Sequence, residues 1–265
     1  MRYHSAMGLV LLLFLASCAT SPLGRKQLRL FPEAEMVAMG IAAFDKIKAE
    51  TPLSRDLQLN RYVQCVTTAI TAELRNAAGQ AAWEVLVFED DAANAFALPG
   101  GKIGVYKGLL KVAANQDQLA TVIGHEIAHV LADHSNERIS TAYVTQTGIQ
   151  QLVQIIGGDA SPGQQRLLAL LGVGAHVGIE LPFGRTQERE ADVLGLELMA
   201  QAGFDPRQSL HLWQRMSQTD GARPPEFLST HPSHETRMSD LNEHMPEAVA
   251  LYERARAQGK QPRCS

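Results

Sequence analysis

Five residues in the middle of the chain, His125-Glu126-Ile127-Ala128-His129, carry the strongest chemical signal in the sequence. Leu119, Val122, Ile123, Ile127, Val130 and Leu131 surround them with an apolar pattern that predicts a helix over 116–134. On a helix, positions four apart share a face, so both imidazoles can reach one metal ion. Glu126 stands about 100° round the axis, beside a coordination position left open. Two histidines and one further protein ligand leave room for water at zinc, as hydrolysis requires.

The third ligand must come from elsewhere. An extended HExxHxxGxxH run would need Gly at 132 and His at 135, but Ala132 and Ser135 stand there. His134 is one residue out of register and reads as a surface or capping histidine. Downstream, Phe183-Gly184-Arg185-Thr186-Gln187-Glu188-Arg189-Glu190-Ala191-Asp192 opens another helix. Glu188 and Asp192 share one face of it, so one carboxylate can bind metal while the other holds a ligand histidine by its second ring nitrogen. Glu190 points elsewhere. Taken alone, such a helix is usually a solvated acidic face.

Together these segments resemble metallopeptidase family forty-eight, the group that includes the CAAX prenyl-protein endopeptidase and the bacterial HtpX-like and periplasmic proteases. The resemblance rests on the His125–His129 run, on Glu188-Arg189-Glu190-Ala191-Asp192, and on Thr230-His231-Pro232 with Arg237 beyond. It extends to Asn94-Ala95-Phe96-Ala97-Leu98-Pro99-Gly100-Gly101 and to Leu181-Pro182-Phe183, and covers residues 33 to 245. Gly184, where members often have Ser, is a peripheral departure. The resemblance implies one zinc ion held by His125, His129 and Glu188, with Asp192 behind a ligand histidine. For His231 it implies either a hydrogen bond to the oxyanion or a cap on the zinc as fourth ligand. Without it, His231, His234 and His244 read as surface histidines.

The implied activity is zinc-dependent endopeptidase action, with Glu126 as general base and then as proton donor to the leaving amine. An extended substrate is expected along an exposed sheet edge at Asn94, Ala95, Phe96 and Ala97, because backbone pairing accepts many sequences. That suits unfolded or misassembled proteins of a bacterial envelope as partners. The alternative is an envelope chaperone or assembly factor with little proteolysis, against which the intact Glu126 argues. Prenyl-peptide cleavage is disfavoured, since no multi-span membrane chamber can be found in the sequence.

The elements that must position these residues follow from composition and period. With 265 residues, 45% hydrophobic and 20% charged, the chain can bury one sizeable core. A net charge of -4 without a dense basic cluster gives no footprint for nucleic acid. The apolar run Ala6–Leu15 ending in small residues reads as a secretory signal over 1–17. Leu15-Ala16-Ser17-Cys18 also resembles the bacterial lipobox, which implies lipidation at Cys18 and a periplasmic-side, outer-membrane anchor; the alternative is an ordinary cleaved signal. Residues 18–31 read as a polar tether and 32–265 as one domain. Cys65 and Cys264 remain, in a compartment that permits disulfides, and are expected to pair.

Within that domain, helices are expected over 32–47 and 54–78, the latter closed by Gly79. A strand at 83–89 and a hairpin at 95–106 form a small antiparallel sheet. Further helices follow over 136–156, 163–178, 184–202, 206–219, 235–243 and 246–258. The apolar stretch 167–181 contains His176 and three glycines and is too short to span a bilayer. The fold class is therefore α+β, mostly α: a zincin-like domain with a small sheet beside the metal-site helix.

Overall fold

The computed structural model describes residues 18–74, 83–144, 183–218, 227–231 and 236–264. The signal segment, Gly79, the expected helix at 163–178 with His176, residues 145–156 of the helix expected over 136–156, and His234 lie outside these residues. In chain order the elements are β1 (Cys18–Thr20), β2 (Lys26–Leu28), α1 (Glu33–Glu50), α2 (Leu57–Ala72), β3 (Glu84–Phe88), β4 (Ala95–Leu98) and β5 (Lys102–Tyr106). Then follow α3 (Leu109–Val112), α4 (Gln116–Leu131), α5 (His134–Val144), α6 (Arg185–Gln201), α7 (Gln208–Gln218), α8 (Phe227–Thr230) and α9 (Arg237–Ala257). The architecture is mostly helical with a small sheet. Among the described residues no helix is long and apolar enough to cross a membrane.

The sheet has the order β3-β5-β4, and it is mixed rather than purely antiparallel: β4 pairs antiparallel with β5, and β3 pairs parallel with it. The Pro99-Gly100-Gly101 turn specifies the hairpin, but local sequence does not say which side of it β3 joins. The period of two then splits the side chains between faces. Val87, Ala95, Ala97, Ile103 and Val105 pack in one core with Leu119, Ile123 and Ile127 of α4. Phe88, Phe96, Leu98 and Tyr106 face the other way, against Met36, Phe44 and Ile47 of α1. There the rings meet edge to face, Phe88 to Tyr106 at 5.8 Å and Phe44 to Phe88 at 6.3 Å, the arrangement their quadrupoles favour.

Helix α4 is buried continuously from Gln118 to His129. Asn115 caps its N-terminus by accepting the Gln118 N–H, and Asp117 complements the dipole in the first turn. Against it lies α6, and the approach is set by two glycines. A Cβ on Gly124 would stand 2.8 Å from the Gly195 carbonyl oxygen, and one on Gly195 would stand 2.7 Å from the His125 nitrogen. Any side chain at either position would push the two helices apart.

Three expectations need correction. Residues 18–31 do not form a loose tether: β1 and β2 pair antiparallel, with Cys18 opposite Leu28. Side chains of α5 and α6 hold this hairpin and its exit, with Arg25 paired to Glu137 and Glu190 and Asn136 donating to the Phe31 carbonyl. The expected break between 243 and 246 is absent, and α9 runs through Pro246. Leu241 and Ala248, seven residues apart and both buried, keep the two halves of α9 on one core and outweigh the hydrogen bond Pro246 cannot make. The second helix stops at Ala72 rather than 78.

Cys65 in α2 and Cys264 are joined as a disulfide with a Cα–Cα distance of 5.6 Å. The Gln116 side chain accepts the Cys264 N–H and donates to the Pro262 carbonyl, so the C-terminal segment is fastened beside the start of α4.

Candidate metal centre

Three elements bring the site together. Helix α4 carries His125, Glu126 and His129 in its last turns, and α6 carries Glu188 in its first turn, where Gln187 Oε1 accepts the Gly184 N–H. His231 follows the single turn of α8, its N–H donated to the Phe227 carbonyl. Its ring stacks on Phe227 at 4.4 Å and on Phe183 at 5.1 Å, while Phe183 also stacks on His129 at 3.9 Å. The Phe183 N–H is donated to the Thr230 carbonyl, which ties the entry to α6 to the His231 segment. Phe183 therefore serves as a spacer between two histidines, a role that nothing in its sequence context announces.

The side chains of His125, His129, Glu188 and His231 are all buried, and their donor atoms lie within 4.8 Å of one another. Nε2 of His125 is 3.0 Å from Nε2 of His129 and 3.2 Å from Nδ1 of His231. Glu188 Oε1 lies 3.3 Å from His129 Nε2 and 3.0 Å from His231 Nδ1, and its Oε2 lies 3.5 Å from His125 Nε2. Tetrahedral zinc with bonds of about 2.0–2.1 Å separates neighbouring donors by roughly 3.3 Å. The observed edges bracket that value, and two or three imidazole nitrogens with one carboxylate oxygen are the donor types zinc takes. The donor set fits one zinc ion.

The far sides of the ligands are also occupied. His125 Nδ1 lies 3.0 Å from Asp192 Oδ1, a close contact although it is not aligned as a hydrogen bond. The same Asp192 oxygen accepts from Arg237 Nη2 at 2.6 Å. Arg237 is 1% exposed, lies 3.4 Å from Glu188 Oε2, and stacks 3.4 Å above the Trp213 ring. A guanidinium so deeply buried persists because carboxylates and an aromatic face replace its water. In the sequence Arg237 marks only a pattern; its function in orienting Asp192 and Glu188 is visible only in the fold.

His134 is not a surface residue. It is fully buried at the first turn of α5, with Nδ1 2.9 Å from His129 Nδ1 and Nε2 3.2 Å from Glu190 Oε2. The helix ends at Leu131, and the turn through Asp133, at φ 53°, swings residue 134 back under His129. Register counted along one continuous helix misses this. His244 falls within α9 and is not among the converging donors.

Glu126 lies just outside the donor cluster. Its Oε1 is 3.3 Å from His231 Nε2, and its Oε2 accepts the Ala97 N–H at 3.2 Å. Burial pushes its carboxyl above the usual carboxylate range, against the opposing influence of His231 and His125. That moves it toward the neutral range where a general base is most useful. Glu188 goes the other way: burial would raise it, but His231 and His125 hold it well below its ordinary value. Burial drives His129 well below the usual imidazole range, into the neutral form that offers a lone pair. His125 is carried up to about 9 by Asp192 and Glu188 in spite of burial, so metal binding there displaces a proton.

The expected substrate strand is an edge strand, but it is not exposed as anticipated. Asn94, Ala95, Phe96 and Ala97 are all buried, because α4 and α1 cover its two faces. The Tyr106 N–H is donated to the Asn94 carbonyl, and with the β4–β5 register this turns the backbone groups of Asn94, Phe96 and Leu98 toward β5. Those of Ala95 and Ala97 turn away from β5, where Asn94 Oδ1 accepts the Ala95 N–H and Glu126 Oε2 accepts the Ala97 N–H.

The chain matches the family described as "Peptidase family M48" over residues 57–245. It is 39% identical over 173 residues to the mitochondrial metalloendopeptidase OMA1 of Schizosaccharomyces pombe, covering 64% of this chain and 49% of that protein. The human metalloendopeptidase OMA1, mitochondrial, is 30% identical over 239 residues, 87% of this chain and 45% of that protein. The beta-barrel assembly-enhancing protease of Escherichia coli is 29% identical over 210 residues, 76% and 42% respectively. The chain spans about half the length, or less, of these relatives. The family match contains both helices and the late histidine that converge on the site, and the chain belongs to peptidase family M48.

Proposed function

We propose that the protein is a zinc endopeptidase in which His125, His129 and Glu188 hold the metal, Glu126 is the general base, and His231 rests as a fourth donor. The observation that carries this reading is the close convergence of four buried donors with a carboxyl of raised proton affinity beside them. Bound there, zinc supplies a Lewis acid that polarises a carbonyl and acidifies water toward neutrality. Glu126 takes the proton from the attacking water and returns it to the leaving amine. Asp192 fixes the His125 ring, and Arg237 fixes Asp192.

His231 Nδ1 stands among the metal donors rather than beyond them, which favours the cap over a fixed oxyanion donor. Its departure would free both a coordination position and Glu126. A substrate would then lie along β4, pairing with the backbone groups of Ala95 and Ala97 once Glu126 releases the Ala97 N–H. Such pairing reads no particular side chain, which suits unfolded proteins as substrates.

The proposed location is a bacterial envelope, with Cys18 as the lipid attachment. The lipobox-like residues before Cys18 support this, as does the E. coli relative, named for β-barrel assembly. Other relatives of this chain are named as mitochondrial. The E. coli name also keeps an assembly factor in view as the second reading. Casein cleavage and zinc content of the purified chain, beside His129→Ala, test the proposal: wild type should bind zinc and cleave, and the variant should do neither. Stoichiometric zinc without cleavage would favour the assembly factor. Cys18→Ser should leave the membrane fraction, and its retention there would count against lipid anchoring.

A further inference from the structure

We propose that His134, Glu190 and Arg25 are positioning residues for His129, which makes the N-terminal hairpin a working part of the metal centre. The inference rests on His129 being a ligand. His129 turns Nε2 toward the other donors, so in its neutral form the ring proton must sit on Nδ1. That N–H points at His134 Nδ1, 2.9 Å away, which can only accept it. The His134 proton is thereby placed on Nε2, where it is donated to Glu190 Oε2 at 3.2 Å. One consistent set of tautomers runs from the carboxylate to the ligand lone pair, and reversing either ring would set two donors or two lone pairs against each other.

Glu190 in turn is held by the hairpin. Its Oε2 accepts from Arg25 Nε at 3.0 Å and its Oε1 accepts the Leu23 N–H at 3.2 Å. The remaining guanidinium nitrogens of Arg25 are engaged by Glu137, Nη2 to Oε2 at 2.7 Å, so the arginine has a fixed orientation between two carboxylates. The other histidine is supported by a parallel arrangement, in which Asp192 backs His125 and Arg237 backs Asp192. The two histidines of α4 thus each have a carboxylate and an arginine behind them, but the arginine behind His129 comes from a segment that lies seven residues after Cys18 and outside the matched family span.

The test is Co²⁺ and Zn²⁺ affinity of the purified full chain, measured by competition with a chelating indicator, together with the thermal midpoint of the metal-free protein. His134→Phe and Glu190→Gln should each weaken metal binding about 10–100-fold, the usual effect of losing a ligand's support. Arg25→Met should weaken it in the same direction, and a double variant of Arg25 and Glu190 should be no weaker than the more severe single one, since both act through one chain of contacts. Arg29→Met, which removes the neighbouring pair with Asp133 at 2.9 Å, serves as the control for loosening this segment and should leave affinity unchanged. Wild-type affinity in both His134→Phe and Glu190→Gln would overturn the proposal, as would an equal loss in Arg29→Met. His129→Ala separates the two levels: if it too retains metal, the ligand assignment fails, whereas loss there with no effect at His134 and Glu190 defeats only this inference.

Discussion

Replacing Glu126 by Gln keeps the shape of the side chain and removes its charge. None of the converging donors His125, His129, Glu188 and His231 is altered, so the zinc content should stay at one ion per chain. Hydrolysis should fall about 10²–10⁴-fold, the contribution of a positioned general base, equivalent to roughly 2.7–5.5 kcal/mol. A second effect follows from what the carboxylate touches. Oε2 accepts the Ala97 N–H at 3.2 Å and Oε1 lies 3.3 Å from His231 Nε2. Ala97 needs an oxygen opposite it, so the new amide group must turn its NH2 toward His231. With Nδ1 presented to the metal, His231 carries its proton on Nε2, and two donors then meet. Oε1 is close to His231 without being aligned as a hydrogen bond, so what is lost is a charge contact at 3.3 Å, and setting two donors face to face in its place biases His231 out of its resting position. Zinc content after dialysis, casein hydrolysis and the visible spectrum of the cobalt-substituted protein read the three consequences separately. The spectrum should change between wild type and Glu126→Gln while metal content does not. Loss of zinc as complete as in His129→Ala, or hydrolysis within about threefold of wild type, would refute the assignment of Glu126.

His231→Ala should raise the turnover of casein while weakening zinc retention, because it removes a fourth donor that competes with water; a fall in kcat of about 100-fold with zinc fully retained would instead identify an oxyanion donor. Cutting the disulfide with Cys65→Ser should lower stability by up to about 5 kcal/mol on the chain-entropy estimate, since it closes a sequence separation of 199 residues. For a chain of this size that is a drop of about 10–20 °C in Tm by calorimetry, and a drop below about 3 °C would show that the bridge constrains little. Burial pushes the Tyr62 phenol up to about 12, with Asp117 adding to the shift. Because its folded value is raised, the unfolded state releases the proton first; the contribution is complete below about pH 10 and is lost as pH rises toward 12, by well under roughly 2–3 kcal/mol because the partly exposed phenol is screened by solvent. Tyr62→Phe should therefore lose less stability than wild type between pH 9 and 12 in urea titrations, and parallel curves would exclude this origin.

Much of the chemistry was written locally. The His125–His129 spacing required only that the segment be helical, and the apolar residues around it make it so; a four-residue interval fixes which side chains share a face whatever the helix packs against. The same holds for Glu188 and Asp192 on α6, for the Pro99-Gly100-Gly101 hairpin, and for the apolar alternation of the strands. Which groups meet across the molecule was not local. His134 departs from its surface expectation because the helix ends at Leu131 and the chain turns at Asp133, so the register that excludes a ligand says nothing about contact with the back of His129. The residues 18–31 read as a tether because their composition is polar, yet Arg25 finds Glu190 and Glu137 on helices more than a hundred residues away. Arg237 and Phe183 stand in the sequence only as parts of a pattern with no role attached, and the closeness of α4 and α6 depends on Gly124 meeting Gly195, a coincidence of two small residues that neither helix records alone. Sequence period determined the residues that could bind a metal, because helix and strand geometry are short-range properties. The tertiary structure decided which groups hold those ligands in orientation, because burial leaves each polar atom to find whatever partner the packing delivers.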